Sequence, residues 1–369
     1  MLDLLVMIGC CTMLAYVVKS RTQVYTTAYA GIRRDGQSKF LYFVIVIWAI
    51  LFAGLRTRYN DTYNYIQSFN LFVNDEVRWE MLFEPYGGFE MFQTLIKRVF
   101  NANPQMLIFI SSAICCILTL SFIIRNTKHF TASIFLFFIY DYIFLMAGIK
   151  QAVAIAIALW AIDAYLNGKY IRSIVLLILA MTFHPYIICL CCIPFLKGKV
   201  WNLKTIIMAI IFAIAFANLE LVFEFLSVIG KDYSNEAFTD YTINPFRVLV
   251  EFIPVAVSFV YRKNIQRAND RYLTLGVNMR FISFIFIFLG LFYNPIYLGR
   301  MSMYYSMLSV ITIPKMLEAA FKSEKHRSLL SFSYYLFFGL YFLLDLSKLG
   351  SISLLHDQFK HVSIFFLFK

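Results

Sequence analysis

The sequence predicts an all-α polytopic membrane protein, a bundle of about 10 to 12 transmembrane helices forming a single membrane domain over residues 1–369. Three observations carry that expectation. Hydrophobic residues make up 61% of the chain and charged residues only 15%, with a mean hydropathy of +0.71, outside the soluble range. Apolar runs recur from end to end, at 2–18, 40–55, 105–124, 130–147, 150–166, 171–196, 205–229, 246–261, 273–292, 300–317 and 328–345. Between them the basic residues fall in short clusters, the pattern that sets topology and touches anionic lipid. The formal charge of +12 therefore points to membrane lipids as partners, and no nucleic acid is expected.

The first run, MLDLLVMIGCCTMLAYVV, has Asp3 where a signal peptide is basic and lacks a clean small-residue cleavage site, so it reads as a retained span. Segment 19–39 holds Lys19, Arg21, Arg33, Arg34 and Lys39 against Asp35 alone, which places it in the cytoplasm and the N-terminus outside. The loop 56–104 then falls outside. Within it, after Gly87 and Gly88, the residues Phe89, Phe92, Leu95, Ile96 and Val99 share one helical face away from Lys97 and Arg98. Such a helix is expected to lie in the membrane interface. Residues 125–129 follow inside, 148–151 outside and 167–172 inside.

The next run, 171–196, has basic flanks at both ends. A single crossing there puts the basic RKNIQRANDR (262–271) outside and the acidic KDYSNEAFTD (231–240) inside. A re-entrant pair of short helices broken at His184–Pro185 removes the conflict, because Pro185 lacks a donor and disfavours helix at residue 184. Each arm is roughly 16 to 20 Å long, too short to cross. Non-helical backbone at that depth must line a cavity or be buried in protein. The last apolar run, in SISLLHDQFKHVSIFFLFK, is too short to span and is expected at the surface or re-entering.

With that break the external face collects Arg56, Arg58, Asp61, Glu84, Lys150, Arg247 and Arg300. Charges at a membrane edge are functional candidates, and external cations run against the positive-inside bias. Converging cations suit phosphate, since the guanidinium fork matches its oxygens. At a membrane edge that means a lipid-linked phosphate or diphosphate. Arg56, Arg58, Lys150, Arg247 and Arg300 are the candidate ligands, with interfacial snorkelling the alternative for Arg56 and Arg58. Arg300, between a helix-breaking NP and the apolar MSMYYSML, is expected at a helix N-terminus, where an anion is favoured. Asp61 is the candidate base, with an Asx-type cap or a salt bridge to Arg58 as its structural alternative. His184 is the second candidate base, with helix capping its alternative. Tyr59, Tyr63, Tyr65 and Tyr86 offer ring faces and hydroxyls to sugar, and Glu84 a carboxylate. Arg280, inside an apolar run, is expected to pair structurally or to lie near the cytoplasmic end. The seven cysteines all lie in apolar runs and read as buried small hydrophobes. No zinc or nucleotide signature is present, so neither metal nor cofactor is expected.

In that arrangement AGLRTRYNDTYNY resembles the Arg, Gly-Thr-Asp-type turn and Tyr of the EpsG-like branch of bacterial Wzy polysaccharide polymerases. The stretch LMAGIKQAVAIAIALWAIDAYLNGKYIRSIVLLILAMTFHPYIICL is similar to the family's longest signature, a hairpin Arg-Gln, a helix, a basic turn and an Ala-rich helix ending in Phe-His. LGRMSMYYSMLSVITIPK is similar to its late Arg followed by paired aromatics. The resemblance runs in order from about residue 50 to 315. It implies a GT-C-like fold without an obligatory metal, in the bacterial cytoplasmic membrane. The implied reaction joins undecaprenyl diphosphate-linked oligosaccharide repeats into exopolysaccharide, capsule or O-antigen on the outer face, by inverting transfer. Gln151, in the hairpin, joins the glycan-binding set. Two positions depart: Lys150 stands for the hairpin Arg and keeps charge without the fork, and Asn60 stands for the Gly of the turn, which Asn can replace in a left-handed conformation. Arg58 is an extra cation. The rival readings are a glycosyltransferase or ligase adding one unit from a lipid carrier, and a lipid-glycan transporter, which calls for inverted repeats. Whether a chain-length regulator binds is left open.

Overall fold

The structure, a computed structural model, describes residues 2–20, 25–26, 32–33, 36–72, 76–100, 103–217, 243–293, 295–321, 323–349 and 360–368. The acidic stretch 231–240, the second half of the 205–229 run, Arg21, Arg34, Asp35 and most of the tail before Lys360 lie outside them. Among the described residues the protein is all-α apart from a two-residue pairing of Tyr25–Thr26 with Ile32–Arg33 and an isolated bridge between Arg56 and His361. Among the described residues five helices are long and apolar enough to cross a membrane, and further apolar helices are shorter. The chain divides into two compact units, one of residues 1–165, 170–184 and 339–369, the other of 166–169 and 185–338.

The first unit holds α1 (Leu2–Ser20), α2 (Gly36–Gly54), α3 (Thr62–Leu71), α4 (Gly87–Val99), α5 (Pro104–Asn126), α6 (Phe130–Leu136), α7 (Tyr142–Ala147), α8 (Ile149–Leu166) and α9 (Tyr170–Phe183). A π-helical turn, Phe137–Asp141, joins α6 to α7. Helix α2 packs on α1 and α5, and α4 packs on α9 and α5. Asn103 caps α5 by accepting the Gln105 N–H, with Pro104 at the first helical position. Beneath α4 the core joins Phe69, Phe89, Ile96, Met106, Leu107, Ile108, Ile149 and Leu367.

Helix α4 buries Gly87, Gly88, Phe89, Gln93, Thr94 and Ile96. Leu95 and Val99 of the expected apolar face remain exposed, as do Trp79 and Phe83 on the preceding 3₁₀ turn. The packed face is narrower than the sequence stripe because the two glycines carry the contact. A Cβ on Gly88 meets Thr182 Oγ1 at 2.1 Å, and one on Gly87 meets the Met81 carbonyl oxygen at 1.4 Å.

The second unit centres on α14, with α10 (Ile193–Leu196), α11 (Leu203–Ala217), α12 (Pro245–Val260), α13 (Arg262–Arg267), α14 (Arg271–Leu289), α15 (Pro295–Ser306) and α16 (Ser309–Ala320). Helix α14 packs against α11, α12, α15 and α16. Helix α17 (Glu324–Leu349) belongs to this unit up to Phe338 and to the first beyond it. The expected 300–317 span is two helices, since α15 ends at Ser306 and α16 starts at Ser309. No Gly or Pro stands at 307–308, so the sequence offered no breaker there.

The α-helix Tyr170–Phe183 stops before His184, where the following Pro185 disfavours helix, and Pro185–Cys192 is 3₁₀ helix. Arg271 donates to the Leu166 carbonyl at 2.5 Å and to Asn167 at 2.6 Å. Leu273, two residues on, shares a core with Val200 and Ile265, and the Val200 N–H donates to Gln266 at 2.7 Å. Residues 166–167, 200, 265–273 and 315 thus meet at one end of the second unit, joined there by Lys315 and Asp270 at 2.7 Å. Both flanks of the 170–196 segment, Asn167 and Val200, thus attach to the one connection that holds Gln266 and Arg271.

Candidate active site

Site construction begins at the end of α2. The last carbonyls of a helix lack intrahelical donors, and near hydrocarbon each must find one. Here Leu51 accepts from the Leu55 N–H at 3.0 Å, Phe52 pairs with His361 Nε2 at 3.0 Å, Ala53 accepts from Arg56 Nη1, and Gly54 accepts from Gln105 Nε2 at 2.8 Å. Arg56 also donates to the Met146 carbonyl of α7 at 2.7 Å, to Ser112 at 3.1 Å and to Thr62 at 3.1 Å. Its side chain is fully buried. Burial pulls its pKa down to about 10, which leaves it charged at neutral pH. The ends of α2 and α7 each carry roughly half a negative charge, enough together to balance one guanidinium. The expectation that Arg56 presents its fork to phosphate gives way to a different role. Four protein acceptors already occupy it, and it knots two helix ends together.

Above that knot the chain turns sharply. Tyr59 and Asn60 have φ of 129° and 44°, so Asn60 adopts the left-handed conformation expected of it. Thr62 donates to the Tyr59 carbonyl at 2.7 Å and closes the turn. Tyr59 is buried, and burial first, then the Asp345 carboxylate, push its hydroxyl pKa up. Asp61 precedes α3 without a side-chain capping bond; Asn64 Nδ2 approaches it at 3.5 Å. Among the described residues no ion pair joins it to Arg58. Arg58 and Tyr63 are exposed, and Asp61 half-buried.

A second group assembles around Lys150, at the start of α8. Its ammonium lies 4.8 Å from the Tyr86 ring centroid and 5.0 Å from that of Phe89. Tyr86 precedes α4 in a left-handed conformation, φ 63°, and meets buried His184 edge to face, centroids 5.5 Å apart. The Tyr65 hydroxyl stands 3.5 Å from the Lys150 N–H, and its ring packs on Phe89. Gln151 is buried beside Lys150, and Glu84 is exposed. Glu90, on the first turn of α4, has its carboxyl pKa raised by partial burial, an effect Lys150 opposes and Glu84 reinforces. The structure thus brings together Tyr65, Tyr86, Lys150 and His184, with Glu84 close enough to act on Glu90. Two positions join the site that the sequence did not place there, Phe89, expected only on the apolar face of α4, and Glu90; the spacing of Tyr86, Phe89 and Glu90 over one helical turn is the signal that could have found them.

The remaining cations belong to the second unit. Arg247 lies on the first turn of α12, whose cap Asn244 accepts the Phe246 N–H at 2.9 Å. Arg300 is not at a helix N-terminus: Pro295 starts α15 one turn earlier, because proline is pre-organised for a first helical position. Aromatics on both sides of Arg300 have a visible task. Tyr305 donates to the Cys189 carbonyl at 2.7 Å and contacts Cys192 Sγ at 3.2 Å, and Tyr297 packs on Tyr186, so both hold the segment after His184–Pro185. Arg280 pairs with Glu251 at 2.5 Å, both buried, as expected of a structural pair. Among the described residues no three His, Cys, Asp or Glu converge as a metal site.

No curated protein and no solved structure matches the chain. The model of the EpsG family matches residues 39–359, a span that includes the turn after α2, the Lys150 hairpin, the His184 break and the α15 aromatics. The chain therefore belongs to the EpsG family, the family of Wzy-like polysaccharide polymerases.

Proposed function

We propose that this protein polymerises lipid-linked oligosaccharide repeats by metal-independent, inverting glycosyl transfer at the external face of the bacterial cytoplasmic membrane. The donor is a glycan on a polyprenyl diphosphate such as undecaprenyl diphosphate. A hydroxyl of the acceptor repeat attacks the anomeric carbon, the bond to the diphosphate oxygen breaks, and the hydroxyl proton passes to a protein base. The leaving lipid diphosphate keeps the bonding electron pair.

The observation that carries the reading is the meeting of Lys150 with Tyr86. Lys150 stands on the first turn of α8 and Tyr86 directly before α4, so the ammonium is held over the ring of the residue that opens α4. Helix N-termini bind phosphate groups through free N–H groups and the dipole, and preorganised positive charge at a departing anion lowers the barrier. Arg58 is a further proposed phosphate contact in the first unit, and Arg247 and Arg300 are proposed phosphate ligands of the second unit; Arg56 holds the scaffold. Asp61, not spent on capping, is the proposed base, with His184 the second candidate. Tyr59, Tyr63, Tyr65, Tyr86, Glu84 and Gln151 meet sugar.

The test is the purified protein in nanodiscs with a polyprenyl diphosphate oligosaccharide, products resolved by size. A ladder supports polymerisation, and a single added unit assigns the rival, a one-step transferase or ligase. Unchanged rates in both Asp61→Asn and His184→Ala overturn the choice of base.

A further inference from the structure

The family match stops at residue 359, yet the residues beyond it return to the candidate site. His361 faces Arg56 in an antiparallel bridge. The Thr57 N–H donates to the Lys360 carbonyl at 2.6 Å and the Val362 N–H to the Leu55 carbonyl at 2.9 Å. His361 Nε2 supplies the partner of the Phe52 carbonyl, and its ring lies 4.7 Å from that of Phe52. Further along, Asn103 donates to the Phe366 carbonyl at 3.0 Å. Leu367 is buried in the core that contains Phe89 and Ile149, the neighbours of Glu90 and Lys150. Ile364, Phe365 and Phe366 stay exposed, so the tail lies along the surface and inserts one residue.

We propose that the C-terminal tail, residues 360–368, is a positioning element of the transfer site, and that His361 acts by capping α2 and fixing the turn from Arg56 to Asp61. Two contacts at opposite edges of the site give it that reach. The backbone ladder grips residues 55–57, directly before the strained Tyr59–Asn60 turn. Leu367 shares one buried core with Phe89, against which the Lys150 ammonium rests. Strained backbone persists only where its surroundings over-determine it. Without the tail, one of the four end carbonyls of α2 loses its partner and the turn loses its outer wall. The element lies past the matched family region, which ends at residue 359.

This inference rests on the proposed transfer for its readout. Three variants test it in nanodiscs: a chain ending at Lys360, His361→Ala, and His361→Gln, whose amide restores a donor near the Nε2 position. The truncation and His361→Ala are expected to lower kcat per folded molecule by about 10- to 100-fold, the scale of a small misplacement of reacting groups, with KM for the lipid-linked donor little changed; His361→Gln is expected to recover most of the rate. A Thr57→Cys, Lys360→Cys pair is expected to cross-link under mild oxidation, since directly opposed antiparallel residues fall within disulfide reach. Full kcat in the truncated chain overturns the proposal, as does a loss that merely tracks the folded fraction, or absence of the cross-link. A wild-type protein giving no product overturns the transfer reading and the positioning role together; an active wild type with an equally active truncation overturns the positioning role alone.

Discussion

The Lys150 ammonium rests against the face of Tyr86, 4.8 Å from its centroid, and Tyr86 is itself held at a positive φ of 63°. A ring face attracts a cation without offering a conventional hydrogen-bond acceptor. Left-handed backbone at a tyrosine costs roughly 1–3 kcal/mol, a strain the close fit of Gly87 and Gly88 sustains. Lys150→Met should therefore cut the rate by about 100- to 1000-fold, the cost of removing one preorganised group facing developing charge. Lys150→Arg should stay near wild type, because arginine also stacks on an aromatic face. Initial rates of ladder formation decide it; an active Lys150→Met removes Lys150 from the diphosphate site.

Arg56 predicts a different signature. Its four acceptors come from α2, α5, α7 and the start of α3, and a lysine cannot span that fork. Arg56→Lys should cost about 2–4 kcal/mol of stability, since buried carbonyls left without donors cost roughly 1–3 kcal/mol each. The loss should appear as a lower melting temperature in detergent. A phosphate ligand would instead show normal melting with a raised donor KM, and that result would return Arg56 to the binding set.

Glu90 sets a pH dependence. Partial burial raises its carboxyl pKa, Lys150 opposes, and Glu84 adds to the rise. The folded state thus holds its proton to higher pH than the unfolded chain does. Glu90 contributes stability below its unfolded pKa, and that contribution is lost as pH rises through the folded value. Ionised Glu90 is the form that supports Lys150, so the acid limb of the rate profile should stand above the ordinary glutamate range. Glu84→Gln removes the repulsion and should move that limb to lower pH; Glu90→Gln should abolish it. A limb unmoved by either change assigns it to another group, Asp61 or His184.

Much of this was legible in the residues. Pro185 announced its break because a missing N–H is a local property, and Asn60 its left-handed turn because few residues adopt one. Arg56 misled because sequence shows a charge beside an apolar run and cannot show the carbonyls of a distant helix end that consume it. His361 was invisible as a cap for the same reason, being 309 residues from the carbonyl it meets. Leu95 and Val99 followed the apolar stripe, but helix contact is decided by how closely backbones approach, and Gly88 against Thr182 set that line.

The last prediction concerns how the chain enters and leaves the bilayer. Asn167 is tied to Arg271 and Val200 to Gln266, and Gln266 and Arg271 lie on the same short basic connection, which includes Lys263 and Arg267. Basic connections favour the cytoplasm. Cysteines placed singly at Lys169, Lys199 and Lys263 should therefore react with a membrane-impermeant thiol reagent from one side, and that side should be the cytoplasm. A straight crossing between 170 and 196 would put Lys169 and Lys199 on opposite sides. Cysteines placed singly at Arg58 and Arg247 should each label from the other face, the one on which the transfer is proposed. Should Lys169 and Lys199 divide between faces, the re-entrant pair is lost and every loop after His184 changes side, Arg247 and Arg300 included. Those two cations would then leave the proposed set of external phosphate ligands.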